Sequence, residues 1–484
     1  MGASRTSSRS SRLVVGAVAA GLCLALAACG SNIEPGQAGL AAGLTQAGSG
    51  GTVVSGTDSG VPVDSGPGTV DPGSAPDPGA PDAGSSVDPG TSGSGPDAAA
   101  PAPVDGGGGG GGGGGETQPD PGTPKAPTKG VSCDGFSNGT GITDSTITIG
   151  NASDISGPVP GLFAQSQAAM AAFVKYYNDS GQTICGRTLK LAPYDSRSDA
   201  GADQQAYAKG CDEVFAMVGS MSAFDSGGAS VAQKCGLPDI RSISTTAARG
   251  ACTTCYAAQP AGSSEFQNVV ADYVKRNASG GQKAAMLYID AGAAEESGRS
   301  QVKFMTEQGV KFVYVAGVDV ASFNYAPYVQ AMKDAGVTSV QFIAAEPQFV
   351  RLVQTMKQQN FKPELLLLDP TAYSEQYTEP AGDAAIGTTV FTNFVPFEEA
   401  ASNAELRLYL SYLEQTSPGA RPGFFGLFSW SAGQLFVQQA TALGGGLTRE
   451  SLIASMKGVD DWSANGMHAP MPVGPKRITP CWRF

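Results

Sequence analysis

Between Ser145 and Asp369, short stretches rich in apolar and β-branched residues alternate with longer stretches of helical period, and this alternation restricts the chain to α/β folds. "STITIG" (Ser145–Gly150), "TLKLA" (Thr188–Ala192) and "VFAMVG" (Val214–Gly219) read as strands. "KAAMLYID" (Lys283–Asp290), "VKFVYVAGV" (Val310–Val318), "SVQFIAA" (Ser339–Ala345) and "PELLLLD" (Pro363–Asp369) repeat the signal. Between them, "SQAAMAAFVKYYN" places Met170, Phe173, Val174 and Tyr177 on one helical face, and "PQFVRLVQTMKQQ" does the same with Phe349, Leu352, Val353 and Met356. Repeated β-helix-β units imply right-handed crossovers and mostly parallel sheets covered on both faces. Cys133 to Phe484 is about 350 residues, more than one core usually serves, so two lobes are expected.

What precedes this part has a different character. Arg5, Arg9 and Arg12 lead into the apolar "LVVGAVAAGLCLALAA", too short to span a bilayer comfortably, which reads as a secretory signal over residues 1–28. Leu26-Ala27-Ala28-Cys29 resembles a lipoprotein lipobox, with Cys29 the lipidated residue; the alternative is an ordinary signal peptide with Cys29 incidental. Residues 29–130, with "DPG" and "PDAG" units and ten glycines from Gly106 to Gly115, cannot build a core and read as a disordered tether. From Gly30 to Gly130 there are eleven acids and two bases, so most of the chain's net charge of −13 belongs to the tether. No basic face is indicated, and nucleic acid is not an expected partner.

In open α/β sheets ligands bind beyond the carboxyl ends of the strands. The segments there are "NASDISGPVPGLF" (Asn151–Phe163), "SMSAFDSGG" (Ser220–Gly228) and "STTAARG" (Ser244–Gly250). Their hydroxyls and helix-start amides suit a polar acceptor such as a carboxylate, and no metal or cofactor set is evident in them. Taken singly, each Ser or Thr is explained as a helix cap.

The order and spacing of "TITIGNASDISGPVPG", "ICGRTLKLAPYDSRSDA", "VGSMSAFDSGGASVAQKCGLPDIRSISTTA" and "FNYAPYVQAMKDAGVTSVQFI" resemble the type I periplasmic binding proteins of the leucine/isoleucine/valine and amide family, which serve ABC transporters. The resemblance implies two Rossmann-like α/β lobes joined by three crossovers: lobe one from 134–259 plus 397–459, lobe two from 260–396 plus 460–484. It implies a small polar solute, such as an amino acid or amide, held in the interlobe cleft by hinge closure. It also implies a membrane permease as partner, a monomeric state and a place on the outer face of the cell membrane. Family ligand positions fall on Ser156, Phe163, Ser222, Ala223, Ser244 and Thr245 in lobe one, and on Ala294, Glu346, Asp369 and Thr371 in lobe two. Two departures stand out: "GAAEES" (Gly292–Ser297) replaces the family's tyrosine-glycine step, and Thr371 stands where amino-acid binders place an acid.

Other chemistries compete with binding. Ser429-Trp430-Ser431-Ala432-Gly433 approaches a nucleophile elbow, and Asp461 and His468 follow in hydrolase order, but the window reads as one long helix. A tethered ligand sensor or interaction module on the same fold is a further alternative. Beyond Cys23 and Cys29, seven cysteines remain, an odd number. Cys185 with Cys211, flanking a strand and helix of one unit, is the expected disulfide; the other pairings are not deducible. "CTTC" (Cys252–Cys255) reads as a loop whose cysteines pair elsewhere rather than as a redox or zinc motif.

Overall fold

A computed structural model describes residues 131–260, 265–278 and 283–484, which lie within one compact unit, 119–484. The signal, Cys29 and the tether lie outside the described residues.

The first half of the chain alternates as β1 (Thr146–Ser153), α1 (Ala164–Asp179), β2 (Thr188–Asp195), α2 (Ala200–Glu213), β3 (Ala216–Val218), α3 (Ala229–Cys235), β4 (Asp239–Ser244), α4 (Ala247–Ala251) and β5 (Cys255–Pro260). The second continues with α5 (Asn268–Asn277), β6 (Ala284–Ile289), α6 (Gly292–Glu307), β7 (Phe312–Val318), α7 (Ala326–Asp334), β8 (Ser339–Ile343), α8 (Glu346–Gln358), β9 (Leu365–Leu368), α9 (Glu375–Ala381) and β10 (Thr388–Val390). The chain then returns to the first sheet with α10 (Ala404–Thr416), α11 (Phe424–Leu443) and α12 (Arg449–Met456).

Two all-parallel sheets result, in the orders β2-β1-β3-β4-β5 and β10-β9-β8-β6-β7. Read from the other edge, the second order repeats the first, so each lobe reverses direction once: between β1 and β3, and between β6 and β8. These are the switch points at which doubly wound sheets leave a crevice. Strands covered on both faces need no polar alternation, and β3 and β6 are buried along their whole length. Phe349, Leu352, Val353 and Met356 are buried in α8 as their spacing predicts. In α1, Tyr176 joins Met170, Phe173 and Tyr177 in the core, whereas Val174 is half-buried.

The helix α11 is apolar on nearly every side because it lies inside lobe one, against α1 and β4. Gly433 makes that approach possible: a Cβ there would stand 2.5 Å from the Phe173 ring. Trp430 meets Phe173 edge-on at 5.2 Å and donates from Nε1 to the buried Glu405 carboxylate at 2.5 Å, tying α11 to α10.

Three connections join the lobes: from β5 to α5, from β10 to α10, and along the C-terminal tail. The tail departs from the expected boundary at 460. Ala464, Met467, Met471 and Val473 pack into the lobe-one core, whereas Trp482 packs against the lobe-two core and Phe484 stacks on Tyr273 of α5 at 3.9 Å.

The expected Cys185–Cys211 bridge does not form. Cys185, in the turn before β2, pairs with Cys133 at a Cα separation of 5.4 Å, while Cys211 on α2 faces α3 and pairs with Cys235 at 6.1 Å. The helix α2 packs on α3, so the nearest thiol is across the helix pair and not across the strand. Cys252 and Cys255 pair with each other, contrary to the expectation that each would pair elsewhere. Cys481 lies outside these three bridges.

Behind the loop that follows β3 sits a buried ionic cluster. Arg249 donates to Asp239 at 2.6 Å, to Asp203 at 3.2 Å and to the Asp225 carbonyl, while Gly228 N–H donates to Asp203 at 2.8 Å. Arg241 donates to the Tyr207 hydroxyl, which donates to Asp239 at 2.9 Å. Removing one partner from such a set leaves a buried charge uncompensated. Arg249→Ala is therefore expected to destabilise lobe one by about 3–5 kcal/mol, read as a lowered urea midpoint.

Candidate functional site

The carboxyl ends of the two sheets face each other across a cavity of about 290 Å³. Lobe one contributes Leu162, Phe163, Met221, Ile243, Phe424 and Phe425; lobe two contributes Ile289, Ala293, Ala294, Val320 and Ile343. Phe391, Ile478 and Trp482, from the connecting segments, complete the wall. Phe163 meets Phe425 edge-on at 4.6 Å, making a rigid aromatic side to the cavity.

Among the described residues, no arginine, lysine or histidine lines this space. Its polar groups are hydroxyls, amides and two carboxyls, Glu265 and Asp369. Gln259 and Gln348 are almost wholly buried, and the Oε1 atom of each has no hydrogen-bond partner. Burial pushes Asp369 up to about 6, against the opposing hydrogen bonds from Thr371. Glu346, the first residue of α8, is pushed up to about 7, chiefly by burial and further by the Asp369 charge.

Two internal carboxylates organise the lobe-one loops. Asp195, the last residue of β2, accepts from the amides of Ile155, Ser156 and Arg197 and from Ser156 Oγ at 2.5 Å. Burial alone would raise its pKa, but these hydrogen bonds outweigh it and hold the carboxyl below its ordinary value. Asp154, just after β1, accepts from Ser196 Oγ at 2.6 Å, Ser198 N–H at 2.9 Å and Ala223 N–H at 2.8 Å.

Six of the ten sequence-derived positions line the cavity: Phe163, Ala223, Thr245, Ala294, Asp369 and Thr371. The other four are placed elsewhere. Ser156 is exposed and spends its hydroxyl on Asp195; Ser222 is buried and accepts from Phe224 N–H at 3.2 Å. Ser244 borders a separate small crevice with Lys476 and Tyr256, and the Glu346 side chain does not reach the cavity wall. Gln259, Gln348, Phe425 and Trp482 also line the cavity, and each is a single residue with no motif around it to mark it in the sequence.

The lobes touch across the cleft. Ala293 N–H donates to Ala223 O at 2.8 Å, Ala247 N–H donates to Glu296 Oε2 at 2.9 Å, and Arg421 pairs with Glu379 at 2.6 Å on the rim. Gly292, where "GAAEES" begins, has φ +55, and a Cβ there would stand 2.3 Å from Ala223 O. A glycine is required for this approach.

The hydrolase alternative is resolved by the same geometry. Ser431 Oγ and His468 Nε2 do meet, at 2.7 Å, but inside the lobe-one core and away from the cavity. The other ring nitrogen donates to Ala469 O at 2.8 Å, and Asp461 is exposed, so the three residues form no triad. Burial lowers the His468 pKa to about 4, which keeps the ring neutral. Ser431 sits mid-helix in α11, where it also accepts from Trp462 Nε1 at 2.8 Å, and no strand-turn-helix elbow exposes it. Among the described residues there is no cluster of His, Cys, Asp and Glu suited to a metal ion.

Residues 146–481 match the family model for periplasmic binding proteins. None of the curated proteins compared with the chain matches it. Solved structures show the same two-lobed fold. One is a solute-binding protein of an ABC transporter from R. palustris in complex with 4-hydroxybenzoate: 18% identity, 69% of this chain and 91% of that chain covered, TM-score 0.58. Another is a leucine-binding protein from Thermotoga maritima: 15% identity, 68% and 93% covered, TM-score 0.58. A third is a fatty acid ABC transporter substrate-binding protein from Thermomonospora curvata: 17% identity, 73% and 95% covered, TM-score 0.59.

The raised Asp369 pKa has a pH signature. Between the unfolded value near 4 and the folded value of about 6, the folded state holds a proton that the unfolded chain has released, so stability falls as pH rises through this window. Asp369→Asn, which retains the oxygen that accepts from Thr371 N–H, removes the ionisation. It is expected to stabilise the protein by about 1–3 kcal/mol at pH 8 and by less at pH 5, measured by thermal denaturation at both.

Proposed function

The chain belongs to the periplasmic binding protein family, and on that premise we propose that it captures a small molecule outside the cytoplasm and delivers it to the permease of an ABC transporter. The observation that carries this reading is the cavity itself: it lies at the switch points of both sheets and is walled by both lobes. Solute first meets the aromatic side of lobe one. The lobe-two wall and the Ala293–Ala223 hydrogen bond come into play only when the cleft is shut, so solute shifts the open-closed equilibrium by its added affinity for the shut form. The permease then receives a shape that depends on occupancy.

The N-terminal segment completes the reading. A signal over residues 1–28, lipid on Cys29 and a tether over 29–130 would hold the binding unit at the outer face of the membrane as a monomer. Amino acids and amides, the solutes implied by the family resemblance, are the first compounds to try, beside apolar ones, which suit the wall. A ligand sensor using the same closure differs in one respect: its deletion would alter a response without altering solute uptake.

Solute at about a hundred times its Kd is expected to stabilise the protein by about 2.7 kcal/mol. A thermal-shift screen of a broad solute set checks this, and no shift with any compound would sink the proposal. Gly292→Ala, which forces a Cβ against Ala223 O, is expected to weaken binding of any hit by roughly fivefold, since one lost closing contact is worth about 1 kcal/mol. Calorimetry gives the affinity, and small-angle scattering gives the accompanying shift toward an expanded form.

A further inference from the structure

The strand-end loops of lobe one present backbone amides and hydroxyls at which a ligand carboxylate would ordinarily be received, and the protein's own carboxylates already occupy them. Asp195 takes the amides of Ile155 and Ser156 together with the Ser156 hydroxyl. Asp154 takes the Ala223 amide at 2.8 Å. Glu296, reaching over from α6 in lobe two, takes the Ala247 amide at 2.9 Å. The Ile155, Ser156, Ala223 and Ala247 amides at these strand ends are therefore answered from within the chain. Among the described residues no cationic side chain lines the cavity to balance a ligand's negative charge. A carboxylate entering this space would be stripped of water beside Asp369 without a matching charge, which is strongly unfavourable.

Beside the Ser198 and Thr245 hydroxyls, the cavity offers acceptors. The Oε1 atoms of Gln259 and Gln348 are buried and without partners, and the Asp369 carboxyl lines the same cavity. Buried acceptors left unmade are costly, so a ligand hydroxyl or amino group that meets them gains more than the same group would on an exposed surface. The remainder of the wall is aromatic and aliphatic, and its volume of about 290 Å³ is near the lower end for pockets that enclose drug-sized ligands.

We propose that the cleft takes a non-anionic ligand with an apolar body and a hydrogen-bond-donating end, an alcohol or an amine, rather than a carboxylate. This rests on the solute-binding reading above and narrows the solute to one chemical class.

The test uses the full chain and four soluble probes: 3-phenylpropan-1-ol, 3-phenylpropylamine, 3-phenylpropanoate and L-leucine, each titrated calorimetrically. The three phenylpropyl compounds share one apolar body and differ only at the end group. The alcohol or the amine is expected to bind at least about tenfold more tightly than the propanoate, and Gln348→Leu to weaken whichever binds by about tenfold. Tighter binding of the propanoate or of leucine overturns the proposed class and leaves the solute-binding reading standing. If none of the four binds, the first hit from the broad solute set decides: a non-anionic hit supports the class, and an anionic one overturns it. Silence from the whole set overturns both.

Discussion

The site depends on one buried carboxylate. Asp154 stands just past β1 and accepts from Ser196 and Ser198 after β2 and from Ala223 after β3. Three strand ends that would otherwise be independent loops are thereby drawn to one point at the switch of the first sheet. The position of Ala223 then follows, and with it the place where lobe two can land, because the Ala223 carbonyl is what Ala293 donates to. The Arg249 cluster supports the same loop from behind through Asp225 and Gly228. A charge-assisted hydrogen bond gains strength out of water, and these loops are held by several.

The second constraint is the matching order of the two sheets. Because both reverse at corresponding positions, their crevices can face one another, and the ligand space is made by apposition rather than by either lobe alone. The wall is apolar for the same reason. At a strand end the buried faces of the sheet continue outward, so Ile243, Ile289 and Ile343 are extensions of the two cores into the cleft. Polar character comes from scattered side chains, among them Gln259 at the end of β5, Gln348 near the start of α8 and Asp369 just after β9.

Much of the architecture was legible in the chain because periodicity and burial are local properties. The strands at Thr146, Thr188, Ala284 and Leu365 and the buried face of α8 followed from short patterns. The cavity wall was legible only in part. Ser156 and Ser222 have the residue types of ligand donors, but their partners, Asp195 and Phe224, decide where they point. The disulfides show the same limit: Cys211 is near Cys235 because two helices pack, which no spacing along the chain reveals. Ser431 and His468 illustrate the reverse case. Their order suggested proximity, and proximity was found, but burial in α11 makes the contact a strut in the core.

The Cys133–Cys185 bridge has a mechanical consequence. It fastens the start of the folded unit to the turn before β2, at the amino ends of the first sheet's strands, whereas the cleft and the three connections lie toward the carboxyl ends. Any tension arriving from the N-terminal side is delivered through a covalent staple into the floor of lobe one. A load entering there meets the floor of lobe one before it reaches the three connections between the lobes.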